Sequence, residues 1–149
     1  MPESRYIKAG PFARIFNATV AALARAGVSL YGTRLLAVRG RKSGDWRTAP
    51  VNLLEHDGAN YLVAPRGETQ WVRNLRVSGS GELRLGRRCE TFSATELSDD
   101  DKAPVLREYL RQWEFEVKAF FGGVGAAASD AELRQIAPAH PVFRITMNG

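Results

Sequence analysis

Between residues 34 and 96 the chain passes through five short stretches of strand character, most of them joined by tight turns. This feature constrains the fold more than any other. Parallel strands need a crossover of a dozen or more residues, whereas antiparallel strands close through short hairpins. The stretches lie near 34–40, 47–55, 60–65, 82–87 and 89–96. Asp57-Gly58, between the second and third, is a strong two-residue hairpin signal. Leu83 and Leu85 alternate with Glu82 and Arg84, the pattern of a strand with one wet face. Gly86-Arg87-Arg88 then turns the chain into Cys89–Thr95, where Thr91, Ser93 and Thr95 alternate with Glu90, Phe92 and Ala94. The pattern predicts a largely antiparallel sheet, closed as a barrel or stacked as a sandwich.

Helical periodicity brackets this middle. Phe12, Ile15, Phe16, Thr19, Val20 and Leu23 share one face of a helix over residues 11–26, with Pro11 in its first turn and Gly27 past its end. That face suits the domain core, a membrane surface or the wall of a cofactor site. A short helix is expected from Thr69 to Val77, with Thr69 as N-cap. Ser98-Asp99-Asp100-Asp101 reads as an acidic helix start, with Pro104 in or near the first turn. The helix that follows places Leu106, Leu110, Trp113, Val117 and Phe120 on one face and ends at Gly122-Gly123. Ser129-Asp130-Ala131-Glu132 opens another short helix, and Val142–Thr146 alternates as a final strand.

A chain of 149 residues favours one domain and one core. The expected organisation is a single domain over 1–149 with residues 1–30 as an N-terminal helical arm. Hydrophobic residues at 44% and charged residues at 25% exclude a disordered chain. One cysteine, Cys89, excludes an intrachain disulfide and a disulfide-stapled secreted domain. Cys89 reads as a half-buried strand residue without an activating partner. His56 adjoins a turn and His140 sits between Pro138 and Pro141, so no metal site is expected. No apolar run is long enough to cross a bilayer, and Arg14 and Arg25 interrupt the polar N-terminal region, which points to the cytoplasm. The net charge of +5 suits a small polyanion, an anionic membrane surface or nucleic acid.

Gly40-Arg41-Lys42-Ser43-Gly44, with Arg47 three residues on, narrows that choice. It joins two strand-like runs. Glycine lets a ligand approach the backbone, arginine offers a planar fork of donors and lysine a mobile point charge. The loop reads as an anion site. It is not a P-loop, because the Gly-x-x-x-x-Gly-Lys-Ser/Thr spacing and the following helix are missing. A second cluster, Ala64-Pro65-Arg66-Gly67, leads into Trp71-Val72-Arg73-Asn74-Leu75. If the Asp57-Gly58 hairpin forms, Arg47 and Arg66 lie at its same end and face one groove. Trp71 is then either a core aromatic or the wall of a planar-ligand pocket, and Asn74 a ligand donor or a surface residue. Gly79-Ser80-Gly81 and Gly86 follow a helix and enter a hairpin, so they are turns and not a dinucleotide fingerprint. No Ser/His/Asp set and no paired carboxylates stand out, so no catalytic side chain is assigned. A protein that leaves the chemistry to a bound cofactor needs none.

Taken in order, Gly40-Arg41-Lys42-Ser43-Gly44-x-x-Arg47-x-x-Pro50, Asp57-Gly58, Ala64-x-x-Gly67 and Trp71-x-x-Asn74-Leu75 resemble the deazaflavin-dependent nitroreductase and quinone reductase family of actinobacteria. The likeness runs from about residue 30 to residue 97. It implies an α+β fold: a split β-barrel of the FMN-binding kind, mainly antiparallel, with the N-terminal helix and the C-terminal helices packed on it. It also implies coenzyme F420, an 8-hydroxy-5-deazaflavin carrying a phosphate and an oligoglutamate tail. Arg41, Lys42, Ser43, Gly44 and Arg47 would hold the phosphate and tail, with Thr48, Ala49 and Pro50 alongside. Val63, Ala64 and Pro65 would lie along the ring, followed by Arg66, Gly67, Trp71 and Asn74. Pro65 stands where the family often has a small polar residue, and Arg66 where it often has lysine. The implied reaction is hydride transfer from reduced F420 to a small-molecule electron acceptor: a quinone, an enone or a nitro compound. Tyr109 and Trp113 match, by region only, tyrosines that line the substrate in some relatives. A non-catalytic F420 carrier shares the binding prediction without turnover. A nucleic-acid module fits less well, because the aromatic and basic residues do not interleave on strand faces. Peripheral membrane contact through the first helix and a monomeric or homodimeric state both remain open.

Overall fold

The computed structural model describes residues 33–148, so the helix expected over 11–26 and the 1–30 arm lie outside the described residues. Six strands form a closed antiparallel barrel: β1 (Thr33–Arg39), β2 (Trp46–His56), β3 (Ala59–Val63), β4 (Ser80–Leu85), β5 (Arg88–Glu96) and β6 (Val142–Met147). Around the barrel they run β1-β2-β3-β6-β5-β4. Closure leaves no free sheet edge. Helix α1 (Gln70–Ser78) links β3 to β4. Helices α2 (Ala103–Val117) and α3 (Asp130–Ile136) lie between β5 and β6.

Local sequence accounts for the joints. Asp57 and Gly58 have φ values of 49° and 77°, so both take the left-handed conformation of a two-residue hairpin between His56 and Ala59. Gly79, with φ 69°, caps α1 by donating its N–H to the Leu75 carbonyl. Ser129 and Glu132 close the capping box that starts α3.

Two cores result. Leu36, Val38, Val51, Leu62, Leu83, Phe92, Phe143 and Ile145 fill the barrel, joined by Val72 and Leu75 from α1. The second core lies on the opposite face of β2 and β3, where Leu54 and Val63 meet Leu106, Tyr109, Leu110, Trp113, Phe121 and Leu133. Tyr109 and Trp113 stack on each other with centroids 5.1 Å apart and are 2% and 1% exposed. They are packing residues of this second core.

Three expectations shift. The helical backbone of α2 breaks at Trp113 (φ −127°), and a tighter turn over Lys118–Phe121 carries the chain to Gly122. As a result Phe121 is fully buried and Phe120 only partly. Cys89 is exposed rather than half-buried, because its register sets it opposite Arg84 at the far end of the β4–β5 hairpin. His140 is fully buried, stacked on Phe121 at 4.0 Å, with Nδ1 3.1 Å from the Pro65 carbonyl oxygen.

Candidate functional site

The loop between β1 and β2 is closed by its own backbone. Gly40 donates its N–H to the Asp45 carbonyl at 2.8 Å, and Gly44 donates to the Gly40 carbonyl at 2.9 Å. The Asp45 N–H reaches Ser43 Oγ at 3.2 Å. Gly44 has φ 77°, which favours glycine. At Gly40 the constraint is space: a Cβ there would meet Ser43 Oγ at 3.0 Å.

Helix α1 braces this loop from outside. The Arg41 backbone N–H donates to Asn74 Oδ1 at 3.1 Å. Arg41 Nη1 donates to the same oxygen at 2.8 Å and to Gln70 Oε1 at 2.9 Å. Asn74 is 4% exposed, so the sequence's alternatives of ligand donor and surface residue both give way to a buried acceptor. On the other flank, Arg39 Nη1 donates to the Gly44 carbonyl at 3.2 Å, and its guanidinium lies 4.1 Å from the centroid of the Trp46 ring.

Loop and helix enclose an open groove of about 700 Å³ lined by Gly40, Arg41, Lys42, Ser43, Trp46, Arg47, Thr48, Gln70 and Asn74. Among the described residues neither Lys42 nor Arg47 has a carboxylate partner, and both are exposed. This donor set fits the anionic part of a ligand.

Of the residues expected at the site, the groove gathers Arg41, Lys42, Ser43, Arg47, Thr48 and Asn74. Gly44 shapes the loop without lining the groove. Ala49 and Pro50 continue β2 as half-buried residues opposite Leu36 and Leu35. Val63 and Ala64 are 4% and 1% exposed and belong to the two cores. Pro65 and Arg66 are half-buried in the loop before α1, and Gly67 is buried with φ 86°. Trp71 packs against Phe143, ring centroids 6.0 Å apart, which is the core alternative. Sequence reasoning missed Trp46 and Gln70. Trp46 carried a signal: an aromatic residue directly after a basic loop, on a face that is 38% exposed. Gln70 carried none beyond its spacing of four from Asn74.

The model of one family, the F420H(2)-dependent quinone reductases, matches residues 12–119. The chain belongs to that family. It is therefore an F420H2-dependent reductase of the quinone reductase kind, and its cofactor is coenzyme F420. Solved structures agree on the fold. An F420-H2 dependent reductase, FDR-A, superposes with a TM-score of 0.55 at 17% identity, over 80% of this chain and 100% of its own. A domain-swapped dimer gives 0.56 at 17% identity, over 92% of this chain and 100% of its own. The protein Atu2129 of Agrobacterium tumefaciens gives 0.56 at 17% identity, over 88% of this chain and 55% of its own. No match to a curated protein was found. Among the described residues no helix is long and apolar enough to cross a membrane, and no cluster of three His, Cys, Asp or Glu could hold a metal ion.

Proposed function

We propose that the groove holds the phosphate and oligoglutamate of coenzyme F420, and that the enzyme reduces quinones, with enones and nitro compounds as further acceptors. The observation that carries this reading is the pair Lys42 and Arg47: two exposed cations without a carboxylate partner among the described residues, in one open groove. Both offer charge-assisted hydrogen bonds to phosphate or carboxylate oxygens. The Ser43 and Thr48 hydroxyls add neutral donors on the same wall. The planar end of the cofactor is left to Pro65 and Arg66, half-buried in the segment that leads to Gln70.

When bound and reduced, the deazaflavin supplies the hydride. The chain's own task is to hold the anionic end firmly, so that the planar end is presented in one orientation to the acceptor. The domain-swapped dimer among the structural neighbours supports a homodimer for this chain as well.

Titration with oxidised F420, followed by its fluorescence, tests the cofactor assignment against FMN. Tight F420 binding with weak FMN binding is the expected result; tighter FMN binding overturns it. Anaerobic oxidation of F420H2 by a quinone, an enone and a nitroaromatic compound in parallel then ranks the acceptors.

A further inference from the structure

We infer that Arg41 is a strut and not an anion ligand, and that Asn74 and Gln70 are the positioning residues that hold it. The anion is left to Lys42, Arg47 and the backbone N–H groups of Lys42 and Ser43. This inference rests on the groove being the cofactor's anionic subsite.

The first argument is how Arg41 is engaged. Its Nη1 donates to amide oxygens from two residues four apart on α1, at 2.8 and 2.9 Å, and its backbone N–H takes the same Asn74 oxygen at 3.1 Å. Gln70 and Asn74 therefore present one face of the helix to one guanidinium. Bonds from a charged donor are among the stronger ones, and Asn74 is 4% exposed, where losing them leaves a buried acceptor unsatisfied. A ligand anion would have to compete with this brace.

The second argument is an inventory of the loop's backbone donors. Gly40 N–H goes to Asp45, Gly44 N–H to Gly40, Asp45 N–H to Ser43 Oγ and Arg41 N–H to Asn74. The N–H groups of Lys42 and Ser43 have no acceptor among the described residues, and both residues line the groove. Successive backbone donors beside two cations form a concave anion cradle. The Arg41 strut keeps that cradle in place, because it ties the residue just before it to a buried helix position.

The test titrates oxidised F420 into the full-length protein at stepped KCl concentrations. Lys42→Ala and Arg47→Ala should each weaken binding about tenfold or more and flatten the dependence of log Kd on log salt, since each removes a charge that meets the ligand. Asn74→Ala should weaken binding about tenfold while keeping the wild-type salt slope. Asn74→Asp, which keeps an acceptor for Arg41, should recover most of that loss. Arg41→Gln should behave like Asn74→Ala. A flattened salt slope in Arg41→Gln would put its charge on the ligand and overturn the inference, as would wild-type affinity in Asn74→Ala beside a weakened Lys42→Ala. If Asn74→Ala does not fold, Gln70→Ala at an exposed position makes the same comparison. Wild-type affinity in every variant would instead remove the whole groove from the cofactor site.

Discussion

Arg39 and Trp46 are cross-strand partners at the base of the basic loop, with the guanidinium 4.1 Å from the indole centroid. Arg39 also donates to the Gly44 carbonyl, so one side chain pins both the loop and a wall of the groove. A partly exposed cation–π contact is worth about 0.5–1 kcal/mol. Arg39→Ala should leave the barrel folded, lower F420 affinity a few-fold and shift Trp46 emission to longer wavelength. Unchanged emission and affinity would show that the contact does not order the groove.

Lys42 and Arg47 face the groove without carboxylate partners among the described residues. If both touch phosphate or carboxylate oxygens, removing both should weaken F420 binding by roughly 2–5 kcal/mol. Calorimetric titration of the Lys42→Ala, Arg47→Ala double variant measures this directly. Full affinity in a folded double variant would place the tail elsewhere.

Much of this architecture is legible in the residues. Asp57-Gly58 and the alternation of Leu83 and Leu85 specify hairpins because turn chemistry and the two-residue period act locally. The order of strands around the barrel is not local: β6, the last strand, inserts between β3 and β5, and nothing near Val142 encodes that. The site divides in the same way. Lys42 and Arg47 announce themselves by charge density, and Arg41 does too. Only the fold shows that α1 claims Arg41 through Gln70 and Asn74. Val63 and Ala64 look available in the sequence and are buried by the closing of two cores.

Gly81 shows how tightly the barrel is drawn. It has ordinary strand geometry, but an added Cβ would lie 2.8 Å from the Ala37 carbonyl oxygen and 3.0 Å from the Phe92 ring. The backbone oxygen of β1 cannot swing aside, and Phe92 is fully buried. Overpacking of this kind costs about 1–3 kcal/mol. Gly81→Ala should lower the denaturant midpoint accordingly; stability equal to wild type would mean that β1 and β4 separate more easily than the packing implies.

Arg76, at the end of α1, forks onto Glu96 through Nε and Nη2 at 2.8 and 2.7 Å, and reaches Glu68 through Nη1 at 2.7 Å. Three segments meet at one guanidinium, held firmly protonated first of all by its bond to Glu96. The side chain is one-third exposed, so solvent screens part of the gain, and about 1 kcal/mol is expected for the network. Arg76→Lys keeps the charge and loses the fork. It should melt nearly as early as Arg76→Ala; a lysine variant with wild-type stability would assign the effect to charge alone.

Cys89 and Glu82 titrate against each other on the outer face of the β4–β5 hairpin. The hydrogen bond to the Glu82 carboxylate, with a smaller contribution from burial, pushes the Cys89 thiol above its ordinary range. The same bond, helped by the charges of Arg84 and Arg39, holds the Glu82 carboxyl below its ordinary range. The signs define a window. The raised thiol favours the folded state at low and neutral pH, and that contribution is lost as pH rises through the raised value. The depressed carboxyl favours the folded state above the usual carboxylate range, and its contribution is lost as pH falls through the lowered value. The pair is therefore intact around neutrality, and Cys89 is exposed yet slow to form thiolate. As the chain has a single cysteine, alkylation by iodoacetamide reports this site alone. The midpoint of its rate against pH should lie above that of an unperturbed thiol, and Glu82→Gln should bring it down and speed alkylation at neutral pH. A wild-type midpoint at or below the ordinary thiol value would mean that the thiol–carboxylate bond does not form in solution.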